Sequence, residues 1–519
     1  MREKLVPDPS GQALDALRKG RFDPARLLYR GVEKESLRVD PNGMLAHTPH
    51  PRALGSALMH PQITTDFCES QLELITGVHP DADDCVQELT DIHRFVWSQL
   101  KDELIWPASM PCKLPAADQI PIGQYGTSNK GRTKTVYRRG LANRYGPVMQ
   151  TISGIHYNFS VDDAALATLG INSVDARTAA YLALIRNFRR YSWLLIYLFG
   201  ASPAICRTFG SEKETGLLPI GEGSLYLPFA TSLRMGPLGY TSDAQRQIHV
   251  SFNSLDDYAR SIRQALSIRH PRYQEIGTLV NGEYRQLTDT LIQIENEFYG
   301  TIRPKRPLQS GERPLTALFD RGVGYVEVRC LDLNPFIPTG IDAAQMRFID
   351  LFLLYCLLAP SPEDSVEEAA RLHANQVAVV QRGRKPGLTL DTGRGPEPLS
   401  QLAEALLDAC EPMADWLDSV KGGHAYASAL ETQRPSLVDA EQTPSAQVLH
   451  RMRQGQSFFR VTMDEAHRIQ TWFQQTPLSS TEAKEWSARA VSSLNDQHEL
   501  EVSETIAFAA HLATYLRLP

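Results

Sequence analysis

Alternation of side chains in the segment RGVEKESLRV, residues 30–39, is the feature that most constrains the fold. Successive side chains of a strand point to opposite faces of a sheet, so Glu33, Glu35, Leu37 and Val39 share one face. Two acidic side chains then lie beside two that favour burial. The segment fits either an edge strand whose charged half is exposed, or a pair of carboxylates held by a cation. The pattern alone favours the edge strand.

The bulk composition is that of an ordinary globular protein, with 42% hydrophobic and 22% charged residues among 519. A net charge of −7 argues against a nucleic-acid-binding protein, which would usually be basic. The most apolar segments, WLLIYLFGA and FIDLFLLYCLLA, are too short to span a bilayer. The N-terminus MREKLVPDPSGQ lacks the apolar run of a signal peptide. We therefore expect a soluble cytoplasmic protein that binds neither nucleic acid nor membrane.

The cysteines give no sign of a zinc site or of a disulfide framework. Seven are scattered along the chain without a C-x-x-C pair, which fits a reducing compartment. No disulfide pairing follows from their spacing, and we assign no redox role to Cys68.

Segments of helical and strand character follow one another without a regular β-α-β order. Hydrophobic periodicity predicts helices over 83–101, 176–199 and 342–358. Period-two alternation predicts strands over 154–161 and 324–333. This mixture favours an α+β fold over a doubly wound parallel sheet.

A seam rich in Gly, Pro and charge, RGRKPGLTLDTGRGPEP, occupies residues 382–398. It predicts a catalytic α+β core, residues 1–381, and a mainly helical C-terminal region, residues 399–519, that packs on the core as one integrated unit. Within that region 463–476 and 480–518 have helical character, and no chemical motif is evident.

Acidic residues are dense in TTDFCESQLELIT, residues 64–76. The pattern predicts a helix capped by Thr65, in which Asp66, Glu69 and Glu73 share one face. The helix dipole explains acidic residues in the first turns but not Glu73, which lies between two leucines. Three carboxylates on one face repel unless water or a cation separates them, so both interpretations stay open.

Two other predicted strands carry polar residues on one face. In SGIHYNFS, His156 shares a face with Asn158. It is either a metal ligand or, as the isolated pattern favours, a hydrogen-bonded strand histidine. In GYVEVRCLDLNPF, Glu327 and Arg329 share a face. They form either an ordinary ion pair or a cation ligand beside an arginine that binds an anion.

The segment GTSNKGRT, residues 126–133, resembles a phosphate-binding P-loop but lacks its lysine and a preceding buried strand. We exclude a P-loop and predict a flexible basic loop that closes over a polyanion. The basic residues of this loop are Lys130, Arg132, Lys134, Arg138 and Arg139.

Together these residues form a set of oxygen-rich ligands with arginines nearby. Such a set suits Mg²⁺ or Mn²⁺. Carboxylate-held Mg²⁺ with arginines is what phosphoryl transfer requires. The residues by themselves indicate an ATP-using enzyme without a P-loop. A two-carboxylate glycosidase would not explain the histidine, the number of carboxylates or the arginine.

Taken together, the same segments resemble the proteobacterial type of glutamate–cysteine ligase, in the family's order, over about residues 28 to 360. The matching stretches are RGVEKESLRV, HPRALGSALMHPQITTDFCESQLELIT, QYGTSNKGRTKTVYRRGLANRYGPVMQTISGIHYNFS, YLFGASPAICRTF, ATSLRMGPLGYT, IENEFYGTIRPKR and YVEVRCLDLNPFIPTGID.

The resemblance implies a fold related to glutamine synthetase and the guanido kinases. In it an antiparallel sheet surrounded by helices forms a cradle for ATP, metals and both amino acids. The implied reaction is ATP-dependent joining of L-cysteine to the γ-carboxylate of L-glutamate through a γ-glutamyl phosphate, the first step of glutathione biosynthesis. Mg²⁺ is the implied metal, with Mn²⁺ as a substitute, and a monomer is the implied state.

Site residues are implied position by position. The implied metal ligands are Glu33, Glu35, Asp66, Glu73, His156 and Glu327, which reverses the isolated interpretation of His156. Arg329 matches a phosphate-contacting arginine, and with Glu327 it forms the implied catalytic pair. The implied cysteine pocket consists of Phe67, Tyr137, Leu141, Gln150, Ile152, Arg234, Tyr240 and Tyr299. Further candidates for phosphate or nucleotide contact are Arg132, Lys305 and Arg306.

Lys34 stands where relatives often have arginine, and the strand alternation turns it away from Glu33 and Glu35. Two alternatives stay open. One is a related carboxylate–amine ligase with another amine acceptor. The other is a non-catalytic amino-acid or nucleotide-binding relative, which would tolerate Glu35→Gln and Glu327→Gln.

Overall fold

The structure, a computed structural model, describes residues 4–239, 248–309 and 311–517. Its strands are β1 (Leu28–Val39), β2 (Ile63–Thr65), β3 (Gln71–Ile75), β4 (Leu104–Ile105), β5 (Ile155–Val161), β6 (Ala204–Cys206), β7 (Leu218–Ile220), β8 (Ser224–Tyr226), β9 (Leu279–Val280), β10 (Glu283–Tyr284), β11 (Ile302–Lys305), β12 (Tyr325–Leu331), β13 (Thr389–Asp391) and β14 (Pro396–Pro398). Seven of them form an antiparallel sheet in the order β11-β12-β5-β1-β3-β2, with β4 paired to the end of β1.

Strand β1 lies in the interior of this sheet. It pairs with β5 on one side and with β3 on the other. The register places Glu33 opposite His156, and Glu35 opposite Glu73. The interpretation of residues 30–39 as an exposed edge strand is therefore wrong, because both sides of β1 are hydrogen-bonded to neighbouring strands.

Helices surround the sheet and dominate the C-terminal part of the chain. They are α1 (Gly11–Lys19), α2 (Ala82–Gln99), α3 (Asn129–Tyr145), α4 (Pro147–Gln150), α5 (Asp163–Thr168), α6 (Val174–Tyr191), α7 (Trp193–Phe199), α8 (Glu212–Thr215), α9 (Leu255–Ser267), α10 (Pro271–Ile276), α11 (Pro314–Arg321), α12 (Ala343–Leu358), α13 (Val366–Arg382), α14 (Leu399–Lys421), α15 (Ala425–Glu431), α16 (Arg434–Val438), α17 (Pro444–Arg453), α18 (Phe458–Gln475), α19 (Ser480–Ser503) and α20 (Phe508–Tyr515). The predicted α+β fold, an antiparallel sheet with surrounding helices, is confirmed.

One face of the sheet packs on helices and is sealed by a buried ion pair. The guanidinium of Arg30 in β1 lies 2.8 Å from a carboxylate oxygen of Asp350 in α12, and both side chains are fully buried. Tyr157 of β5 donates its hydroxyl to the same carboxylate over 2.7 Å. Because side chains alternate along a strand, the other face carries Glu33, Glu35 and His156.

Most elements agree with the sequence periodicity. The strands predicted over 154–161 and 324–333 are confirmed as β5 and β12. The helices predicted over 83–101 and 342–358 are confirmed as α2 and α12. The helix predicted over 176–199 is instead two helices, α6 and α7, which are interrupted at Ser192.

The helix predicted over residues 64–76 is wrong. The chain forms β2, a turn over residues 66–70, and then β3. Leu72 and Leu74 are buried and alternate with the other residues of β3. Pairing of β3 with β1 buries this apolar side, and the long-range pairing outweighs the local capping signal.

The flexible basic loop predicted over residues 126–133 is also wrong. Helix α3 begins at Asn129, and the hydroxyl of Ser128 accepts a hydrogen bond from the Gly131 N–H as its N-cap. Before the helix, the described residues 118–128 contain a single isolated bridge and no strand, so a P-loop is absent as expected.

The C-terminal region is helical, but the stretch 480–518 is divided between α19 and α20. A small hairpin, β13–β14, occupies part of the predicted seam at 382–398. One hydrophobic cluster contains buried residues from both sides of this seam, including Leu353 and Leu406. The division at the seam stays a prediction.

Two cysteines without a spacing signal meet in the fold. Cys112 and Cys206 are 94 residues apart and form a disulfide, with their Cα atoms 5.3 Å apart. The other five cysteines are buried free thiols. Separately, none of the helices in the described ranges combines the length and apolar character that crossing a bilayer requires.

Candidate active site

The polar face of the sheet gathers three metal-type ligands from three adjacent strands. Ligand atoms of Glu33, His156 and Glu327 all lie within 4.8 Å of one another. The His156 Nδ1 is 3.1 Å from Glu33 Oε2, and its Nε2 is 3.5 Å from Glu35 Oε1. The single histidine thus bridges the two carboxylates of β1. The group of Glu33, His156 and Glu327 is called the front cluster below.

Glu35 belongs to a second group with Asp66 and Glu73. Burial, followed by the charges of Asp66 and Glu73, raises the pKa of Glu35 well above its ordinary value. Burial, followed by Asp66 and Glu33, raises the pKa of Glu73 to about 8. Glu35 and Glu73 therefore resist ionisation beside the carboxylate of Asp66, and a cation bound among the three would stabilise their charged forms.

The residues present fit a bound Mg²⁺ or Mn²⁺. Both groups are rich in carboxylate oxygens, which these hard cations prefer. Asn158 donates from Nδ2 to Glu33 Oε1 over 3.0 Å, which turns its Oδ1 away from that carboxylate. This Oδ1 is buried and has no hydrogen-bond partner in the described part of the chain. An acceptor in such a position is satisfied by a cation, by water or by a donor on a substrate.

Three cationic side chains surround Glu327 on the side of β11. Lys305 Nζ lies 2.8 Å from Glu327 Oε1, and Arg329 Nη1 lies 3.0 Å from Oε2. Arg303, which sits opposite Glu327 in the strand register, approaches to 3.9 Å. Burial opposes the charge on Glu327, but Lys305 and Arg329, together with His156 and Arg303, hold its pKa well below the ordinary value.

Around Glu327, the partly exposed side chains are those of Lys305, Arg329 and Glu33. The side chains of Lys305, Arg329 and Glu33 are 28%, 20% and 19% exposed, whereas Glu327 is 1% exposed. Lys305 and Arg329 are therefore accessible to an anionic ligand. The buried carboxylate of Glu327 holds both side chains in place through its ion pairs with them. Burial, followed by the charge of Arg329, lowers the pKa of Arg303 to about 10, and it remains a cation at neutral pH.

Several of the predicted pocket residues are in mutual contact. Gln150 Nε2 donates to the hydroxyl of Tyr299 over 3.0 Å. Tyr137 interacts electrostatically with Tyr299 and Arg303. On the strand side, Gln71 accepts from the Phe67 N–H and donates to the carbonyl of Ile152 over 3.0 Å. Phe67, Leu141 and Ile152 are buried in the main hydrophobic cluster.

Arg234 reaches the floor of the site past a glycine. Its Nη2 donates to the carbonyl of Arg329 over 2.9 Å, and its Nη1 lies 3.8 Å from Asp332. A Cβ at Gly154 would overlap the guanidinium of Arg234. The N–H of Gly154 donates to Glu35 Oε2 over 2.7 Å, so this glycine separates the arginine from the carboxylate.

Other predicted residues lie elsewhere. Arg132 points to the C-terminal helix α20, with its guanidinium 4.1 Å from the ring centre of Phe508. The charged neighbours of Arg306 are Arg177, Arg321 and Asp163. Tyr240 lies outside the described residues.

Lys34 faces away from the carboxylates, as predicted. It is buried, and its Nζ donates to Ser36 Oγ over 2.9 Å. Glu69 has a structural role, because its carboxylate accepts from the backbone N–H groups of His50 and Gln124. Burial raises the pKa of the Cys68 thiol to about 12, so the thiolate is disfavoured at neutral pH.

Sequence reasoning missed two features of the site. Arg303 was overlooked, although it alternates with Lys305 in the motif IRPK and so shares its face. The sequence predicts a loop for Lys134 and Arg138, whereas α3 holds them beside Asp66 and Glu73. Periodicity gave no signal for α3, since its basic and apolar residues do not segregate to separate faces.

Comparison with known proteins agrees with this geometry. A family model described as glutamate-cysteine ligase matches residues 18–379. The chain belongs to the glutamate–cysteine ligase family. It is therefore a ligase, and the reaction of this family is the glutamate–cysteine step of glutathione synthesis.

Relatives within the glutamate–cysteine ligase family match almost the whole chain. The glutamate–cysteine ligase of Pseudomonas aeruginosa is 48% identical over 492 residues, 93% of each chain. That of Pseudomonas entomophila is 45% identical over 522 residues, 99% of this chain and 98% of the relative. The crystal structure of the Francisella tularensis glutamate–cysteine ligase in complex with AMP superposes with a TM-score of 0.90 at 35% identity, covering 94% of this chain and 97% of that one.

Proposed function

We propose that this chain joins L-cysteine to the γ-carboxylate of L-glutamate at the expense of ATP. A γ-carboxylate oxygen of glutamate attacks the γ-phosphorus of ATP, and the bond to the β-phosphate oxygen breaks to release ADP. The amine of cysteine then attacks the γ-acyl carbon of the γ-glutamyl phosphate and loses a proton. Breakage of the acyl C–O bond releases phosphate and leaves γ-glutamylcysteine.

The observation that supports this reaction most directly is the arrangement around Glu327. The front cluster, which is suited to a divalent cation, lies beside Lys305, Arg303 and Arg329, and Arg329 offers a guanidinium fork. Phosphoryl transfer needs positive charge around the transferred group and little else from the protein. Nucleotide binding by the AMP-bound Francisella relative supports ATP as the co-substrate.

Each group has a defined task in this proposal. A divalent cation, when bound, would neutralise charge on the phosphate oxygens. Glu33, His156 and Glu327 would hold it at the front cluster, and Glu35, Asp66 and Glu73 at the second group. Arg329 binds the transferred phosphoryl oxygens, and Lys305 and Arg303 stabilise the charge that develops on them.

The amino-acid pocket would lie between α3, α4 and the sheet. Arg234 would donate hydrogen bonds from its guanidinium to the carboxylate of cysteine. The hydroxyls of Tyr137 and Tyr299 offer hydrogen bonds, and Phe67 with Leu141 would wall the thiol. The contact of Gln150 with Tyr299 fixes the orientation of that tyrosine.

Release of ADP tests the proposal. The purified chain is mixed with ATP, Mg²⁺ and L-glutamate, and ADP is measured with and without L-cysteine. Cysteine-dependent stimulation is expected, and its absence would refute the assigned acceptor. Replacement of cysteine by 2-aminobutyrate, which lacks sulfur, reports whether the pocket requires the thiol.

Two neutral substitutions separate an enzyme from a binding protein of the same fold. Glu35→Gln and Glu327→Gln remove a charge but little volume. We expect ADP release to collapse in both while the circular-dichroism spectrum is unchanged. Retained turnover in either variant would contradict the metal-holding role. Glu283→Gln on an exposed side chain of β10 is the matched control.

A further inference from the structure

Helix α3 delivers several side chains to the candidate site at once. Arg138 donates from Nε to the carbonyl of Asp66 and from Nη2 to that of Thr65. The charges of Lys134 and Arg138 oppose the rise in the pKa of Glu73. Tyr137 and Leu141, from the same helix, belong to the proposed cysteine pocket. A small displacement of α3 would therefore move Lys134 and Arg138, which lie beside Asp66 and Glu73. It would also move the side of the cysteine pocket that α3 provides.

The N-terminus of α3 is held by carboxylates from the far end of the chain. Glu504, just after α19, accepts from the N–H of Asn129 over 2.5 Å. Glu501 accepts from the N–H of Thr127 over 2.9 Å. These carboxylates satisfy N–H groups that Ser128, which caps Gly131, leaves free. Negative charge at this end of α3 also interacts favourably with the positive end of the helix dipole.

Contacts on the side of α3 continue the attachment. The side-chain amide of Asn129 donates to the carbonyl of Ile506 over 2.8 Å. Phe508 of α20 lies under the guanidinium of Arg132, at 4.1 Å from the ring centre. Phe508 and Leu512 are buried against Val136 in a small hydrophobic cluster of their own.

Gly126 shows how closely the two segments approach. Its φ of 81° lies in the left-handed region that favours glycine. A Cβ at this position would also overlap the carboxylate of Glu501 and the amide of Gln497. The close approach therefore depends on a residue without a side chain.

The segment that holds α3 is itself anchored to the core. Ser493 Oγ of α19 accepts from the Ser56 N–H over 2.9 Å, and Ser56 donates its hydroxyl to Gln497 over 2.5 Å. About two turns before Ser493, Trp486 of the same helix stacks on Phe95 of α2, with ring centres 5.6 Å apart. Helix α19 is thus fixed at its middle before it reaches α3.

We propose that residues 497–515 are a positioning segment for the active site. Glu504 and Phe508 are its positioning residues: they fix the N-terminus and the outer side of α3, and so the placement of Tyr137 and Leu141. The catalytic cations Lys305 and Arg329 come from the sheet and are independent of this attachment. The part of this inference that concerns cysteine rests on the function proposed above.

Glu504→Ala removes the acceptor, whereas Glu504→Gln keeps an oxygen that can accept from Asn129. In the alanine variant we expect amide hydrogen exchange at residues 127–131 to accelerate. We also expect KM for cysteine to rise roughly three- to tenfold, because Tyr137 and Leu141 are then held less firmly in the pocket. KM for ATP should change less than KM for cysteine, because Lys305 and Arg329 lie on the sheet and not on α3. In Glu504→Gln, amide exchange at residues 127–131 and KM for cysteine should both return most of the way to the values of the unmodified chain.

Glu499→Ala is the matched control, because Glu499 is an exposed residue of the same type on α19. Glu499→Ala should change neither amide hydrogen exchange at residues 127–131 nor KM for cysteine. Phe508→Leu, which keeps apolar volume but loses the ring over Arg132, should shift KM for cysteine in the same direction. Phe508→Ala is measured beside it by thermal unfolding, so that loss of stability is separated from loss of positioning.

Unchanged exchange at residues 127–131 in Glu504→Ala would overturn the proposal. A rise in KM for cysteine that also appears in Glu499→Ala would overturn it as well. If the unmodified chain shows no cysteine-dependent ADP release, the proposed function fails by itself. The exchange measurement then still decides whether the C-terminal segment holds α3.

Discussion

At the scale of single residues, the site depends on buried carboxylates. A buried carboxylate keeps its charge only when a cation lies beside it. Glu327 is 1% exposed and is balanced by Lys305 and Arg329. Glu35 and Glu73 have no comparable cation within hydrogen-bonding distance among the described contacts, and burial raises the pKa of both. One side of the site is therefore an ion-paired anchor, and we propose that the other side holds a cation.

Arg329→Lys tests whether the guanidinium fork matters beyond its charge. Lysine keeps the positive charge but cannot donate two parallel hydrogen bonds to a phosphoryl group. We expect kcat to fall by roughly 10²–10³, as for loss of one transition-state donor. Steady-state ADP release measures this, and Arg260→Lys, at a side chain 73% exposed on α9, is the control. A fall of less than tenfold would argue against a direct role.

Binding of Mg²⁺ should release protons near neutral pH. The pKa of Glu73 is raised to about 8, so its carboxyl holds a proton at pH 7 in the metal-free protein. A cation displaces that proton, and its affinity should rise between pH 6 and 8. Calorimetry in two buffers of different ionisation enthalpy measures the release, and Glu73→Gln should reduce it. Equal binding heats in both buffers would contradict the prediction.

The same shift has a consequence for stability without metal. The unfolded chain loses this proton near pH 4.5, whereas the folded chain keeps it until about pH 8. The contribution of Glu73 to the free energy of unfolding therefore decreases as the pH rises through this window. Added Mg²⁺ should stabilise the protein more at pH 8 than at pH 6.

At the scale of elements, the sheet register builds the site. Because β1 is central, it presents Glu33 to β5 and Glu35 to β3 at the same time. Side chains directly opposite in an antiparallel pair have Cβ atoms about 5 Å apart, which is close enough for shared ligation. A shift of one residue would turn these carboxylates towards the helices.

The buried pair of Arg30 and Asp350 fixes β1 on α12 and so supports that register. Asp350→Ala leaves a buried guanidinium and the hydroxyl of Tyr157 without their carboxylate. We expect a loss of about 3–5 kcal/mol in the free energy of unfolding, measured by urea denaturation. Asp15→Ala, which breaks an exposed pair with Arg18, should cost less than about 1 kcal/mol. Similar losses in the two variants would contradict the prediction.

At the scale of the whole molecule, aromatic side chains join the two predicted regions. Trp97 of α2 lies 6.2 Å from Phe473 of α18, and Phe95 lies 5.6 Å from Trp486 of α19, measured between ring centres. Such rings each bury a large apolar area, so the helices after the seam cover surface that the first region would otherwise expose.

A chain that ends at residue 381 should therefore not fold to the native state by itself. We expect weak near-ultraviolet circular dichroism, binding of a hydrophobic dye and self-association in size-exclusion chromatography. Co-expression of residues 399–519 should restore a soluble complex. Cooperative unfolding of residues 1–381 alone would instead show that they form an independent domain.

Much of the fold could be predicted from local pattern. The strands around His156 and Glu327 and the helices α2 and α12 have clear periodicity, and each agrees with its predicted bounds to within a few residues. The strands around Asp66 and Glu73 could not be predicted from local pattern. Their capping signal is local, whereas the strand that β3 pairs with, β1, is distant in sequence. Helix α3 was missed because its faces are not segregated.

The sequence by itself determined which residue types occur and which of them share a strand face, because the alternation of side chains is a local property of the backbone. It also carried the resemblance that placed the chain in its family. Only the tertiary structure decided that β1 is central, that Arg303 opposes Glu327, that Cys112 meets Cys206, and that the C-terminus holds α3. Those facts depend on which distant segments come together to bury apolar surface, and no local pattern encodes that choice.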